Sequence, residues 1–134
     1  MYNELPWNVT LKGVFVAKIL IADDSKLQKL EIAKFLIKLG HQVLEAKDGN
    51  EAVALTEQNL PDLVLMDVVM PECNGFSALR RIKHNDKTKH IPVIMVSTKS
   101  EDIDKIWASK QGAVGYITKP IDFNLLENEI NKNL

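Results

Sequence analysis

A single cysteine, Cys73, stands in the whole of the 134-residue chain, which excludes an internal disulfide and a cysteine-built zinc site. No apolar run approaches the roughly 20 residues that a membrane span needs, so no membrane insertion is expected. The start, Met1-Tyr2-Asn3-Glu4-Leu5-Pro6-Trp7, lacks the basic-then-apolar order of a secretory signal, and the expected compartment is cytoplasmic. Neither sign of charge dominates: the formal net charge is -1, which gives no bulk attraction to nucleic acid or to an anionic membrane. His41, His84 and His90 lack metal-ligand spacing, and exposed or capping roles are expected for them. No glycine-rich phosphate loop follows a strand, since Gly112-Ala113-Val114-Gly115 precedes one. What is present is an ordinary globular composition, 46% hydrophobic and 26% charged, at a length that fits one domain.

Apolar runs and breakers alternate along that domain. Lys18 to Ala22 reads as a buried strand, followed by a helix capped by Asp24 or Ser25 with Leu27, Leu30, Ala33 and Leu36/Ile37 on its inner face. Gly40 stops that helix. Val43 to Ala46 is a second strand, and Gly49 opens a helix carrying Ala52, Val53 and Leu55. Leu63 to Met66 is the third strand, and the third helix bears Phe76, Leu79 and Ile82. Pro92 to Val96 is the fourth strand; Ile103, Ile106 and Trp107 mark the fourth helix, with Trp107 expected in the core and Lys99, Lys105 and Lys110 on a solvated face. Gly115 to Thr118 is the fifth strand, and Leu125, Leu126 and Ile130 are expected to face inward from the last helix. The pattern predicts an α/β fold, (βα)5, with a doubly wound parallel five-stranded sheet covered on both faces.

Residues 1–17 stand outside this plan. They are read as an N-terminal extension, either frayed or lengthening the first strand, before a domain over 18–134. Val14 to Val16 could lengthen the strand, Leu5, Trp7 and Val9 could pack on a neighbour, and Val16 is a candidate for the true start.

Ligands of such sheets bind beyond the carboxyl ends of the strands, where strand order reverses. Asp23, Asp24, Asp67, Ser97 and Lys119 all fall at or just past strand ends. An isolated Asp67 would be read as a turn or cap residue, and Asp23-Asp24 as a solvated acidic turn. Three carboxylates gathered at one edge, however, repel one another unless a cation joins them.

In order along the chain stand Ile21-Ala22-Asp23-Asp24-Ser25, Leu65-Met66-Asp67-Val68-Val69-Met70-Pro71, Gly75, Val96-Ser97 and Tyr116-Ile117-Thr118-Lys119-Pro120. Together they resemble the ordered motifs of bacterial response-regulator receiver domains, over about Lys18 to Leu134. The resemblance implies the flavodoxin-like strand order 2-1-3-4-5 and a cis Lys119–Pro120 bond. Mg²⁺, with Mn²⁺ as a substitute, suits Asp23, Asp24, Asp67 and the backbone carbonyl of Val69, because a hard ion takes carboxylate and carbonyl oxygens. Asp67 is then the nucleophile that becomes phosphorylated, and Lys119 its counter-ion. By the resemblance, Ser97 moves toward the phosphoryl group and Tyr116 rotates inward behind it. The phosphate thereby switches a surface on the fourth helix, fifth strand and fifth helix.

The same resemblance implies the partners: a histidine kinase or a histidine phosphotransfer domain as donor, and a protein target downstream. It also implies a monomer that leaves room for a dimer on phosphorylation. No helix-turn-helix is legible, which argues against nucleic acid as a target. Thr98 to Trp107, Gln111-Gly112-Ala113 and the Val68–Phe76 loop resemble the stand-alone regulators of type IV pilus (twitching motility) chemosensory systems. Two positions depart from the best-known chemotaxis regulators. By the resemblance, Val69 and Lys99 flank the path of the hydrolytic water; Val69 cannot hydrogen-bond it and Lys99 offers no carboxylate to orient it, so slow self-dephosphorylation is expected. Thr98 is bulkier than the Ala or Gly often found there, which narrows access to the site.

Three other readings compete with a phospho-acceptor switch that is not itself an enzyme. An aspartyl-nucleophile phosphohydrolase usually needs an acid two residues past the nucleophile, where Val69 stands. A flavin-binding electron carrier would want a phosphate cradle where Asp23-Asp24 repel phosphate. A receiver that drains phosphate from a sibling regulator shares every motif.

Overall fold

A computed structural model describes residues 16–134, and the readings made for Leu5, Trp7, Val9 and Val14 lie outside the described residues. Strands and helices alternate strictly: β1 (Lys18–Ala22), α1 (Lys26–Lys38), β2 (Gln42–Ala46), α2 (Gly49–Asn59), β3 (Leu63–Met66), α3 (Gly75–Lys83), β4 (Val93–Ser97), α4 (Asp102–Lys110), β5 (Gly115–Thr118) and α5 (Phe123–Lys132). All neighbouring strands pair in parallel, in the order β2-β1-β3-β4-β5. This is the expected doubly wound sheet, and its order reverses between β1 and β3.

Period-two alternation along buried strands divides the core into two layers. Leu20, Ala22, Val64, Met66, Val93 and Met95 face α2 and α3, where Val53, Leu79 and Ile82 close over them. Ile19, Ile21, Leu63, Leu65, Ile94 and Val96 face α1 and α5, against Ile32, Leu36, Leu126 and Ile130. Each such aliphatic side chain contributes about 1.5–3 kcal/mol on burial, so the strands are anchored from both sides.

Four of the five helices begin where a short polar side chain accepts from an early N–H, and α4, which starts after Glu101, does not. Ser25 caps α1, accepting from Gln28 N, while Asp24 does not serve as the cap. Asp48, Asn74 and Asp122 cap α2, α3 and α5 in the same way. Gly40, with φ of +95°, turns the chain out of α1.

Three helical faces differ from expectation. On α1 the buried residues are Lys29, Ile32, Ala33 and Leu36, whereas Leu27, Leu30 and Ile37 are exposed. Apolar residues occupy both sides of this helix, so periodicity alone admits two registers; packing on β1 and β2 buries one of them, and Phe35 meets Phe123 of α5 (4.9 Å between ring centroids) at its margin. On α4 only Ala108 is buried; Ile103, Ile106 and Trp107 are 65%, 51% and 46% exposed. Trp107 is therefore a surface residue and not core. Leu125 of α5 is also exposed beside buried Leu126 and Ile130. His41, expected in an exposed or capping role, is buried and accepts the Ala17 N–H on Nδ1 at 3.0 Å.

Candidate functional site

Backbone hydrogen bonds carry the sheet's ladder one residue past the strand ends and bring the polar residues to one edge. Asp23 N donates to Ala46 O (3.0 Å), Asp67 N to Ala22 O (2.9 Å) and Lys119 N to Ser97 O (2.8 Å). Asp23 and Asp67 are thereby fixed at the reversal of strand order, at the mouth between β1 and β3, and Lys119 is fixed past the end of β5, from which its side chain reaches them. Asp23 is 2% exposed and Asp67 6%, while Asp24 stands in solvent beside them.

One ammonium serves two buried carboxylates. Lys119 Nζ donates to Asp23 Oδ2 at 2.8 Å and to Asp67 Oδ2 at 3.2 Å. The remaining oxygens accept from the backbone: Asp23 Oδ1 from Ser25 N (2.9 Å) and Asp67 Oδ1 from Val69 N (3.3 Å). Burial pushes the Asp67 carboxyl above its ordinary value; Lys119 opposes this and the Asp23 charge adds to it. For Lys119, burial works to lower the ammonium, but the Asp23 hydrogen bond and the two carboxylate charges outweigh it and the net shift is upward.

The edge remains short of positive charge. Asp23, Asp24 and Asp67 each offer a carboxylate oxygen, all within 4.8 Å of one another, against the single Lys119. An all-oxygen, anionic donor set of this size fits a hard divalent cation such as Mg²⁺. Behind Asp67 the packing is close: a Cβ on Gly75 would lie 2.0 Å from the Asp67 carbonyl oxygen, so only glycine starts α3 there.

Ser97 ends β4 fully buried, and its Oγ accepts the Lys99 N–H at 3.2 Å. Tyr116 of β5 is half-buried and donates its hydroxyl to the Lys99 carbonyl. Burial raises the Tyr116 phenol, which keeps it a donor. Sequence reasoning missed Lys99 as the residue joining these two, because its part is played by backbone atoms and leaves no side-chain signal. The Lys119–Pro120 bond is cis.

The expected residues Asp23, Asp24, Asp67 and Lys119 thus meet at one edge, with Val69 following Asp67 there. Ser97 ends the neighbouring strand and is tied to Tyr116 through Lys99. His84 and His90 are exposed, away from any cluster of metal-ligating groups among the described residues, and Cys73 is buried.

Comparisons with known proteins agree with this geometry. Residues 19–131 match the family model described as the response regulator receiver domain. Protein PilH of Pseudomonas aeruginosa is 48% identical over 116 residues, covering 87% of this chain and 96% of that protein. The chemotaxis protein CheY4 of Vibrio cholerae superposes with a TM-score of 0.84 at 28% identity, over 90% of this chain and 100% of the other. The receiver domain of a sensor histidine kinase from Pseudomonas aeruginosa, solved with a magnesium ion coordinated in its active-site cleft, gives 0.82 at 26% identity, over 89% and 98%. With this fold, this acidic edge and a family match across nearly all of the described residues, the chain belongs to the response regulator receiver domains.

Proposed function

We propose that this protein is a phospho-acceptor switch in which Asp67 takes a phosphoryl group from a phosphohistidine on a histidine kinase or phosphotransfer domain. The observation that carries the reading is the sharing of Lys119 between Asp23 and Asp67. An Asp67 oxygen attacks phosphorus, the phosphorus–nitrogen bond of the donor breaks, and the imidazole leaves with the bonding pair. Lys119, released from the Asp67 carboxylate, moves its hydrogen bond to a phosphoryl oxygen. Mg²⁺, or Mn²⁺ in its place, held by Asp23, Asp24, Asp67 and the Val69 carbonyl, would neutralise the charge gathered on the transferring group.

Ser97 reads the product. Its hydroxyl turns from the Lys99 N–H to donate to a phosphoryl oxygen, and the Lys99 carbonyl that holds Tyr116 moves with it. The readout is a protein-binding face on α4, β5 and α5. Support for that face comes from Ile103, Ile106 and Trp107, three large apolar side chains left uncovered on α4. We assign the pathway to type IV pilus motility, on the motifs from Thr98 to Ala113 and the likeness to PilH. The assignment places the protein in the cytoplasm, as a switch without turnover; no helix among the described residues is long and apolar enough to cross a membrane. Residues 18–134 form the receiver unit of this reading, after the extension at 1–17.

Incubation with acetyl phosphate and Mg²⁺ tests the reading by intact-mass measurement. One added phosphoryl group that is absent in Asp67→Ala and in EDTA is the expected result. Steady release of phosphate over many turnovers would instead favour a phosphohydrolase.

A further inference from the structure

The loop 68–74 that follows Asp67 is braced from a side that no motif marks. Gly49 N, at the start of α2, donates to the Cys73 carbonyl at 2.9 Å. A Cβ on Gly49 would lie 2.1 Å from that oxygen, so the helix start and the loop are in backbone contact. Over this contact lies Arg81 of α3, whose Nη1 donates to Asn50 Oδ1 at 2.8 Å and approaches Cys73 Sγ at 3.7 Å. Arg81 is exposed and forms no ion pair among the described residues.

The loop needs a brace. Glu72 holds φ of +66°, a left-handed conformation that a non-glycine residue adopts only at a cost. Beyond Cys73 the loop returns to the site through Gly75 N, which donates to Val68 O at 2.9 Å, and Val69 N, which donates to Asp67 Oδ1. Val69 itself points into solvent, 53% exposed, so its side chain does not fix the loop. Contacts therefore run without a break from Arg81, through the start of α2 and Cys73, to the backbone beside Asp67.

We propose that Arg81 is a positioning residue for the phospho-acceptor site: by pinning the start of α2 onto Cys73, it holds the strained loop 68–74 in the shape that presents the Val69 carbonyl to a divalent cation. The proposal rests on the phospho-acceptor reading but concerns a group remote from the acidic edge. Neither glycine nor arginine here touches a reacting atom, and the effect passes through backbone hydrogen bonds.

Arg81→Met and Asn50→Ala each remove one half of the brace at the surface, where folding is not at stake. In the metal-free protein, the protection of the Gly49 amide against hydrogen exchange should fall about tenfold in both. The Mg²⁺ dissociation constant, from amide-shift titration, should rise about three- to tenfold, with the urea midpoint nearly unchanged. The double variant should be no worse than either single one. Adding Glu72→Gly, which relieves the left-handed strain, should restore Mg²⁺ affinity to Arg81→Met. Unchanged Gly49 protection overturns the proposal, as does a lowered urea midpoint with Mg²⁺ affinity intact. A wild type that binds no Mg²⁺ overturns the phospho-acceptor reading as well, and the Gly49 amide still reports separately whether the brace exists.

Discussion

Tyr116 donates its hydroxyl to the backbone carbonyl of Lys99, the residue whose N–H is held by Ser97 Oγ. The two side chains expected to act in sequence are thus joined through one peptide segment, with Ser97 fully buried and Tyr116 half-buried. In the proposed switch, pulling Ser97 toward Asp67 would break the first bond and free the segment that makes the second. Tyr116→Phe should leave phosphorylation of Asp67 intact while shifting the switch equilibrium by roughly fivefold, the worth of about 1 kcal/mol for one hydrogen bond. Trp107 fluorescence on adding beryllofluoride and Mg²⁺ measures it; an unaltered amplitude and midpoint in Tyr116→Phe would remove Tyr116 from the switch.

Lys119 is the only cation bonded to either buried aspartate among the described residues. Lys119→Met should destabilise the metal-free protein by about 3 kcal/mol, because removal of one partner leaves uncompensated buried charge. Urea unfolding in EDTA checks this. Mg²⁺ should bind the variant more tightly than wild type, since the acidic edge has lost its competitor, yet phosphoryl transfer from acetyl phosphate should be slower. Faster transfer in the variant would contradict the role of Lys119 on the phosphoryl oxygen.

Val69 and Lys99 are both exposed, so changing them does not disturb the core. Val69 cannot hydrogen-bond a hydrolytic water, and Lys99 offers no carboxylate to orient one. Val69→Asn with Lys99→Glu should shorten the lifetime of the phosphorylated protein about tenfold, a modest share of what positioned polar groups supply in proton transfer. The decay of the phosphorylated mass with time gives the rate, and equal lifetimes would show that water reaches the site by another path.

His41 sets a pH dependence of stability. Burial lowers its folded-state pKa below the ordinary value near 6.5, and Nδ1 must stay unprotonated to accept the Ala17 N–H. The unfolded chain therefore binds the proton more readily than the folded one. The His41 contribution is full above about pH 6.5 and declines as the pH falls through the folded pKa. His41→Asn should flatten the slope of the urea midpoint between about pH 6.5 and 5 relative to wild type. Parallel slopes in the two proteins would show that carboxylates alone govern that range.

The elements themselves were legible from one sequence, because near-continuous apolar runs such as Leu63 to Met66 admit few readings once Pro61 and Gly75 punctuate them. Helical faces were less so. Leu27, Leu30 and Ile37 compete with Ile32, Ala33 and Leu36 for the inner side of α1, and only packing of the helix on the sheet decides between them. Trp107 is at core spacing from Ile103, yet α4 lies so that Ala108 alone is covered. Burial of His41 was not legible, because its hydrogen bond to Ala17, 24 positions away, has no local sequence signal.

Which residues close each strand was written in the chain, since apolar length and the following polar residue are local properties. Where those strand ends meet was decided by the parallel sheet. It sets Lys119 on Asp23 across 96 positions and on Asp67 across 52, distances that no local pattern encodes. That Lys99 joins Ser97 to Tyr116, and that Arg81 reaches the start of α2, likewise depended on tertiary structure, because backbone carbonyls and long polar side chains find partners only after the helices are packed.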